Sequence, residues 1–261
     1  MYDFPALEAA LTGTIYADNL HFFPVTGSTN SDAMAGARNA APHGSVYFAD
    51  EQTAGRGRGD HRWESNPGQG LYVSVLLRLA IPATRLPFLP LAAGLAAAEA
   101  IRSASGLNLD LRWPNDLLIG GRKTGGILAE SKIEGDMLAF AVVGIGINVH
   151  QRDFDLALAT PGTSLDLESN RRISRQALLV ALLESLEREA RGLIELDTVA
   201  RIPARVELAS TWIRGRQVEV HGPQACIGVT AGLDDRGFLL VKAGGGLIAV
   251  RSGGIRDIKR G

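Results

Sequence analysis

Two spacings of apolar residues along the chain predict its secondary structure. Alternate residues are apolar in 71–79, which is typical of a strand. Apolar residues recur every three or four positions in 174–194, which predicts an amphipathic helix, and the Ala- and Leu-rich stretch 89–103 predicts a buried helix. A helix that starts near Thr29, with Asp32 at capping-box spacing, is ended by Pro42. Other strands are predicted at 20–25, 45–49, 109–113, 126–133 and 137–147, and another helix at 199–211.

The pattern changes after residue 213. Four short apolar runs, at 217–220, 225–231, 238–242 and 247–250, are separated by Gly, Pro and Asp turns. Short strands with turns between them are typical of a small all-β module. We therefore expect an α+β protein with two domains, residues 1–213 and residues 214–261.

Composition and charge narrow the class of protein. The chain has 27 basic and 28 acidic residues, and this balance argues against binding nucleic acid over its whole surface. A single cysteine, Cys226, excludes an internal disulfide and fits a reducing compartment. No window approaches the roughly 18 apolar residues of a membrane span, and the acidic N-terminus is unlike a signal peptide. These features predict a soluble cytoplasmic protein without a membrane partner.

A long glycine-rich loop at 53–70 carries the first candidate site. Gly55, Arg56, Gly57 and Arg58 stand together, with Trp63 five residues further on. Glycines let backbone N–H groups point at an anion, and arginine adds bidentate bonds to phosphate or carboxylate. A solvated basic loop is the alternative, and composition alone does not decide between the two readings.

Three further segments contain polar or glycine residues at strand ends. Residues 112–116 read Arg-Trp-Pro-Asn-Asp, 122–128 contain Lys123 beside two glycines, and 144–148 read Gly-Ile-Gly-Ile-Asn. Each is by itself compatible with a plain turn or strand end. Glycines inside a strand also favour close approach of a ligand. The five histidines and one cysteine show no zinc spacing, and the sequence contains no P-loop and no nucleophile elbow.

These segments, in this order, resemble the biotin protein ligases. The motifs that carry the resemblance are Ser28-Thr29-Asn30, the loop 55–58 with Trp63, and residues 113–116, 122–128 and 144–148. The resemblance implies a class II synthetase-like catalytic domain, with a mixed sheet flanked by helices, and a C-terminal SH3-like barrel. It also implies that biotin reacts with Mg²⁺-ATP to give biotinyl-5′-AMP and is then transferred to a lysine of a carboxylase carrier domain.

The resemblance also assigns roles to residues. Lys123, Arg58 and Asp116 are the implied catalytic residues, with Lys123 between the biotin carboxyl and the phosphate. Asp116 would assist magnesium or accept the proton of the acceptor lysine. We expect no metal site formed by the protein alone. The implied ligand-binding residues are Ser28, Thr29, Asn30, Gln52, Gly55, Arg56, Gly57, Arg58, Trp63, Lys123, Gly125, Gly126, Gly144 and Asn148. The loop 53–70 is expected to order over the ligand.

Partner and oligomeric state follow from the same resemblance. The carrier domain of acetyl-CoA carboxylase is the expected protein substrate, and a monomer or weak homodimer is the expected state. Only 27 residues precede Ser28, which is short for a DNA-binding domain, so a monofunctional ligase is expected. Three alternatives remain open: a lipoate or octanoyl ligase or transferase on the same fold, a non-catalytic biotin sensor or repressor, and a nucleic-acid binder that uses the arginine loop.

Overall fold

The molecule contains a central mixed sheet and a C-terminal antiparallel sheet. The structure is a computed structural model that describes residues 2–59 and 61–258. The central sheet has seven strands: β1 (Leu20–Thr26), β2 (Val46–Gln52), β3 (Gly70–Leu77), β4 (Asp110–Arg112), β5 (Asp116–Ile119), β6 (Arg122–Glu134) and β7 (Met137–Asn148). Their order is β1-β2-β3-β7-β6-β5-β4. The sheet is mixed because β1 pairs in parallel with β2 whereas the other pairs are antiparallel.

Helices cover both faces of this sheet. They are α1 (Phe4–Ala10), α2 (Thr29–Arg38), α3 (Phe88–Ser105), α4 (Leu165–Ser169), α5 (Arg175–Gly192) and α6 (Leu196–Leu208). The larger apolar cluster lies on the side of α3 and α5, and a smaller one lies under α2. Strand β3 is buried along its whole length. Both faces of β3 are covered, because α2 packs against the second one.

Both α2 and α5 start where the sequence predicts, α2 at Thr29 and α5 directly after Ser174, but only α5 has a side-chain cap. Ser174 Oγ accepts a hydrogen bond from the Ala177 amide at 3.2 Å and caps α5. Asp32 forms no capping box. Its carboxylate instead accepts a 2.7 Å bond from Thr26 Oγ1, which ties the first turn of α2 to the end of β1.

Several short elements were absent from the sequence prediction. They are α1, α4, β5 and the last strand of the C-terminal sheet. Strand β5 has four residues and turns into β6 through Gly120 and Gly121, which have φ of 56° and 77°. Glycine adopts such left-handed conformations at little cost. Four residues between turn signals are too few to show alternation.

The C-terminal module is all β, as predicted. It contains β8 (Arg214–His221), β9 (Cys226–Leu233), β10 (Leu239–Ala243), β11 (Gly246–Val250) and β12 (Gly254–Asp257), in the order β11-β10-β9-β8-β12. The predicted α+β fold class is therefore confirmed. The boundary after residue 213 stays a proposal, because one apolar cluster continues through Trp212, Ile213 and Val218 into the module. Among the described residues, no helix is long and apolar enough to cross a membrane.

Candidate functional site

Three glycines on β6 and β7 leave part of one face of the central sheet without side chains. Gly126 pairs with Gly146, and Leu128 pairs with Gly144, across β6 and β7. Residues that pair directly across antiparallel strands point to the same face, so these glycines lie together on the side that α2 covers. We call this area the glycine face. Gly144 and Gly126 were expected at the site, and the structure adds Gly146.

Each glycine of this face has a close neighbour. A Cβ at Gly144 would overlap the amide oxygen of Asn30, and one at Gly146 would lie 2.6 Å from Nε1 of Trp63. A Cβ at Gly126 would lie 3.7 Å from both Trp63 and Lys123. The glycine face is therefore bounded by three of the residues that the sequence motifs singled out.

Gly125 does not belong to the glycine face. It pairs with Ile147 of the apolar core, and its Cβ would lie 2.9 Å from a methyl group of Leu117. Gly125, which the resemblance implies as a ligand-binding residue, therefore faces the apolar core, because successive residues of a strand point to opposite faces. Glycine at this position is instead required by the Gly146 carbonyl oxygen, which would lie 2.7 Å from a Cβ.

A chain of hydrogen bonds between buried and half-buried side chains joins the first turn of α2 to β2 and β3 beside the glycine face. Thr29 donates from its amide to Gln52 Oε1 at 2.8 Å, and its hydroxyl lies 2.8 Å from Ser74 Oγ. Ser74 donates to Asn30 Oδ1 at 2.7 Å. We call Thr29, Asn30, Gln52 and Ser74 the polar floor. Ser28, the N-cap residue of α2, is buried beside it but forms no side-chain capping bond.

Sequence reasoning missed Ser74 in the polar floor. A signal for it was present, since Ser74 is the one serine or threonine of β3 and is fully buried. A buried hydroxyl needs hydrogen-bond partners, and these partners are the side chains of the Ser28-Thr29-Asn30 motif.

The glycine-rich loop folds back on itself over the glycine face. We call residues 53–59 and 61–69 the lid. Trp63 donates its amide to the Gly55 carbonyl at 2.9 Å, and Gly57 donates to the His61 carbonyl at 2.7 Å. A Cβ on Gly55 would overlap the Trp63 carbonyl. Gly55 and Gly57 therefore allow the two limbs of the lid to approach each other, and the Gly57 N–H is already bonded within the lid.

Lys123 lies between a carboxylate and an aromatic ring. Its ammonium nitrogen is 2.5 Å from Asp116 Oδ1 and 5.7 Å from the centroid of the Trp63 ring. Arg112 donates to the other oxygen of Asp116 at 2.6 Å and 2.9 Å. Burial by itself would raise the pKa of Asp116, but Lys123 and Arg112 outweigh it and hold that pKa below its ordinary value. A carboxylate with a lowered pKa is a weak base, which favours orienting Lys123 over accepting a proton.

Backbone hydrogen bonds fix the position of Lys123. Its amide donates to the Pro161 carbonyl at 2.7 Å, and its carbonyl accepts from the Thr163 amide at 2.9 Å. Asn148 is buried and donates from Nδ2 to the Thr163 carbonyl at 3.0 Å. Asn148 therefore holds the segment that borders Lys123.

The two lid arginines of the motif bond to protein groups. Arg56 forms a two-pronged pair with Glu130 of β6, and the Arg58 guanidinium donates to the Gly253 carbonyl of the C-terminal module. Burial lowers the pKa of Arg58, and nearby Asp116 opposes this shift. Neither Glu130 nor Gly253 was predicted, because both lie far along the chain from the lid.

The described residues contain no group of three His, Cys, Asp or Glu side chains that could hold a metal ion. A cavity of about 810 Å³ opens on the opposite side of the sheet, beside Tyr2, His150 and the start of α5. It contains none of the predicted site residues. The predicted site residues surround the glycine face instead, which the lid covers with Trp63.

The fold and this site define a ligase domain of the biotin/lipoate type. The model of the biotin/lipoate A/B protein ligase family matches residues 22–148, which include the polar floor, the lid and β2 to β7. A biotin protein ligase from Aquifex aeolicus, solved in complex with biotin and ATP, superposes with a TM-score of 0.77 at 29% identity. The alignment covers 92% of this chain and 98% of that one.

Curated relatives narrow the class further. The biotin–[acetyl-CoA-carboxylase] ligase of Mycobacterium tuberculosis is 33% identical over 90% of this chain and 87% of its own length. The bifunctional ligase/repressor BirA of Bacillus subtilis is 34% identical over 95% of this chain and 77% of its own length. The chain belongs to the biotin protein ligase family, which confirms the resemblance noted in the sequence.

Proposed function

We propose that this ligase activates biotin with ATP to biotinyl-5′-AMP and transfers biotin to one lysine of a biotin carboxyl carrier domain. The observation that carries the proposal is the placement of Lys123 beside the glycine face, under Trp63 and against Asp116. The names of the relatives support acetyl-CoA carboxylase as the source of the carrier. Solved neighbours hold biotin with ATP or biotinyl-5-AMP, which supports the two small substrates and the intermediate.

The two ends of biotin match the two ends of the site. The ureido ring needs hydrogen-bond donors and acceptors, and the polar floor with Ser28 supplies hydroxyl and amide groups. The fused rings need a flat surface without side chains, which the glycine face would provide once Trp63 withdraws from Gly146. The carboxylate tail would then extend towards Lys123.

Lys123 addresses the main electrostatic obstacle of the first step. A carboxylate must attack the α-phosphate of a polyanion, and a fixed cation between the two lowers their repulsion as charge redistributes. Because Asp116 and Trp63 already orient the ammonium group, little reorganisation is needed when the substrates arrive. The bond that forms joins a biotin carboxylate oxygen to the α-phosphorus, and pyrophosphate leaves.

Magnesium would enter the site bound to ATP. The carboxylate beside Lys123 is bound by two cations, and the described residues hold no cluster of three ligands. Mg²⁺ commonly binds substrate phosphates with few protein ligands.

In the transfer step, biotinyl-5′-AMP, a mixed anhydride, must react with the acceptor lysine before water hydrolyses it. The lid covers the glycine face with Trp63, so we propose that it excludes water during this interval. The acceptor amine attacks the activated carbonyl of biotin, forms an amide and releases AMP. We further propose that the reaction occurs in the cytoplasm, that the chain acts as a monomer or weak homodimer, and that DNA takes no part.

Lys123→Ala tests the proposal, with Lys132→Ala as the matched control. Lys132 lies at the exposed end of the same strand and pairs with Glu134. We expect Lys123→Ala to lower biotin-dependent exchange of pyrophosphate into ATP by about 10²-fold or more, whereas the control exchanges normally. Incubation of the wild type with biotin, Mg²⁺-ATP and a carrier domain should add one biotinyl group to one lysine. Preference for lipoate over biotin, or no modification of the carrier, would contradict the proposed function.

A further inference from the structure

The Arg56 side chain is committed to a carboxylate of the central sheet. Its Nη1 donates to Glu130 Oε2 at 3.0 Å and its Nη2 donates to Glu130 Oε1 at 2.7 Å. This is the two-pronged geometry in which arginine and carboxylate bond most strongly. The contact joins one limb of the lid to β6, across 74 residues of sequence.

Glu130 also contacts the polar floor. Asn30 donates from Nδ2 to Glu130 Oε2 at 3.0 Å, so one carboxylate receives bonds from both the lid and the floor. The other limb of the lid has an equivalent attachment, since Gln52 Nε2 donates to Ser65 Oγ at 2.7 Å. Both limbs of the lid are thus bonded to the same hydrogen-bonded network beneath Trp63.

We infer that Glu130 is a positioning residue, which holds the lid over the glycine face by binding Arg56. The inference rests on the proposed function, because the lid matters for biotin only if the glycine face binds it. It changes the role of Arg56. Two of its five N–H donors are bonded to Glu130, so Arg56 anchors the lid, and only its three remaining donors can contact a phosphate while this pair is formed.

The attachment is weak enough to open. The side chain of Arg56 is 45% exposed and that of Glu130 is 25% exposed, so solvent screens much of their attraction. Exposed ion pairs of this kind change an equilibrium by roughly two- to five-fold. An effect of this size suits a lid that must admit substrate and release product in every cycle.

Glu130→Gln tests the inference because it keeps the shape and one acceptor oxygen but removes the charge. We expect hydrogen exchange at the Gly57 and Trp63 amides, which bond within the lid, to become roughly two- to five-fold faster. We expect KM for biotin to rise by the same factor with kcat almost unchanged. Added salt should speed lid exchange in the wild type and have little effect in the variant.

Glu134→Gln is the matched control. Glu134 also lies on β6 and pairs with a cation, Lys132, but at the far end of the strand. It should leave both lid exchange and KM for biotin unchanged. Equal changes in Glu130→Gln and Glu134→Gln would overturn the inference, since the effect would then come from charge alone.

A double-mutant cycle with Arg56→Gln separates the anchor from a direct ligand contact. If Arg56 acts through Glu130, the double variant should match either single variant. Additive losses, or a much larger loss in Arg56→Gln alone, would overturn the inference. Lid exchange is measured on the protein without substrates, so it is independent of the proposed reaction. If the wild type fails to form biotinyl-5′-AMP, the proposed function fails whatever lid exchange shows.

Discussion

Replacing Gly146 with alanine tests whether contact between β7 and Trp63 sets the position of the lid. The new Cβ would lie 2.6 Å from Nε1 and 2.7 Å from Cε2 of the indole. Ordinary contacts between non-bonded heavy atoms begin near 3.5 Å, so the ring must withdraw by about 1 Å. Gly146 has no positive φ, so its backbone accepts alanine without strain.

The free-energy cost should appear in ligand binding more than in folding. Overpacking a closed core costs about 1–3 kcal/mol, but Trp63 lies on the lid and can move away. We expect Tm to fall by no more than about 2–4 °C, which corresponds to 1 kcal/mol for a chain of this size. Since the indole is displaced by about 1 Å from its position over Lys123 and the glycine face, we expect biotin affinity to fall about 10-fold, equivalent to 1.4 kcal/mol.

Calorimetric titration with biotin and a thermal melt measure the two effects. Gly246→Ala is the control, because it is also a strand glycine and its Cβ would lie 4.0 Å from the nearest neighbour. Trp63→Ala combined with Gly146→Ala identifies the cause, because the second change should add little once the indole is absent. Wild-type affinity in Gly146→Ala, or an undiminished loss in the double variant, would refute the reasoning.

Two further changes probe the buried polar groups of the site. Ser74→Ala removes a fully buried hydroxyl and leaves the amide oxygen of a neighbouring asparagine without its donor. Urea unfolding should show that the free energy of unfolding falls by about 1–3 kcal/mol. The exposed control Thr12→Ala should lower it by less than about 0.5 kcal/mol. Asp116→Asn tests pH dependence. Burial by itself would raise the pKa of Asp116, but Lys123 and Arg112 hold it below its ordinary value. The carboxylate therefore stabilises the fold above its unfolded pKa and loses this effect as pH falls through the folded pKa. The stability gap between wild type and this variant should be full at neutral pH and close below about pH 4, and a gap unchanged at low pH would disprove the assignment.

The long elements and the site motifs were predictable because both are local. The apolar stripe of α5 and the Lys123 motif each lie within a short window of sequence. Which face of the sheet a strand residue occupies is decided by strand pairing, which is not visible in a short window of sequence. Residues 134 and 137 pair at the turn between β6 and β7, but a bulge after Lys132 shifts the pairing by one residue. Counting back from the turn would pair Gly125 with Gly146, whereas the bulge places Gly126 there, and this decides which glycine can meet a ligand.

The sequence also could not predict which protein groups bond to the arginines of the lid. Arg56 and Arg58 were expected to bind the intermediate, yet their protein partners lie 74 and 195 residues away. Nothing in the pattern of β6 marks Glu130 as a partner, because a charged residue on a half-exposed strand is ordinary. Only the folded sheet brings Glu130 beneath the lid.

The carboxylates explain how a site for polyanions keeps its cations together. Lys123, Arg112 and Arg58 would repel one another if no negative charge lay among them. Asp116 bonds to the first two and attracts the third, while Glu130 performs the same role for Arg56. A phosphate that enters must therefore compete with a protein carboxylate, so the net attraction is smaller than the count of cations suggests. In return the cations stand in position before the substrates bind, which is what an electrostatically preorganised site requires.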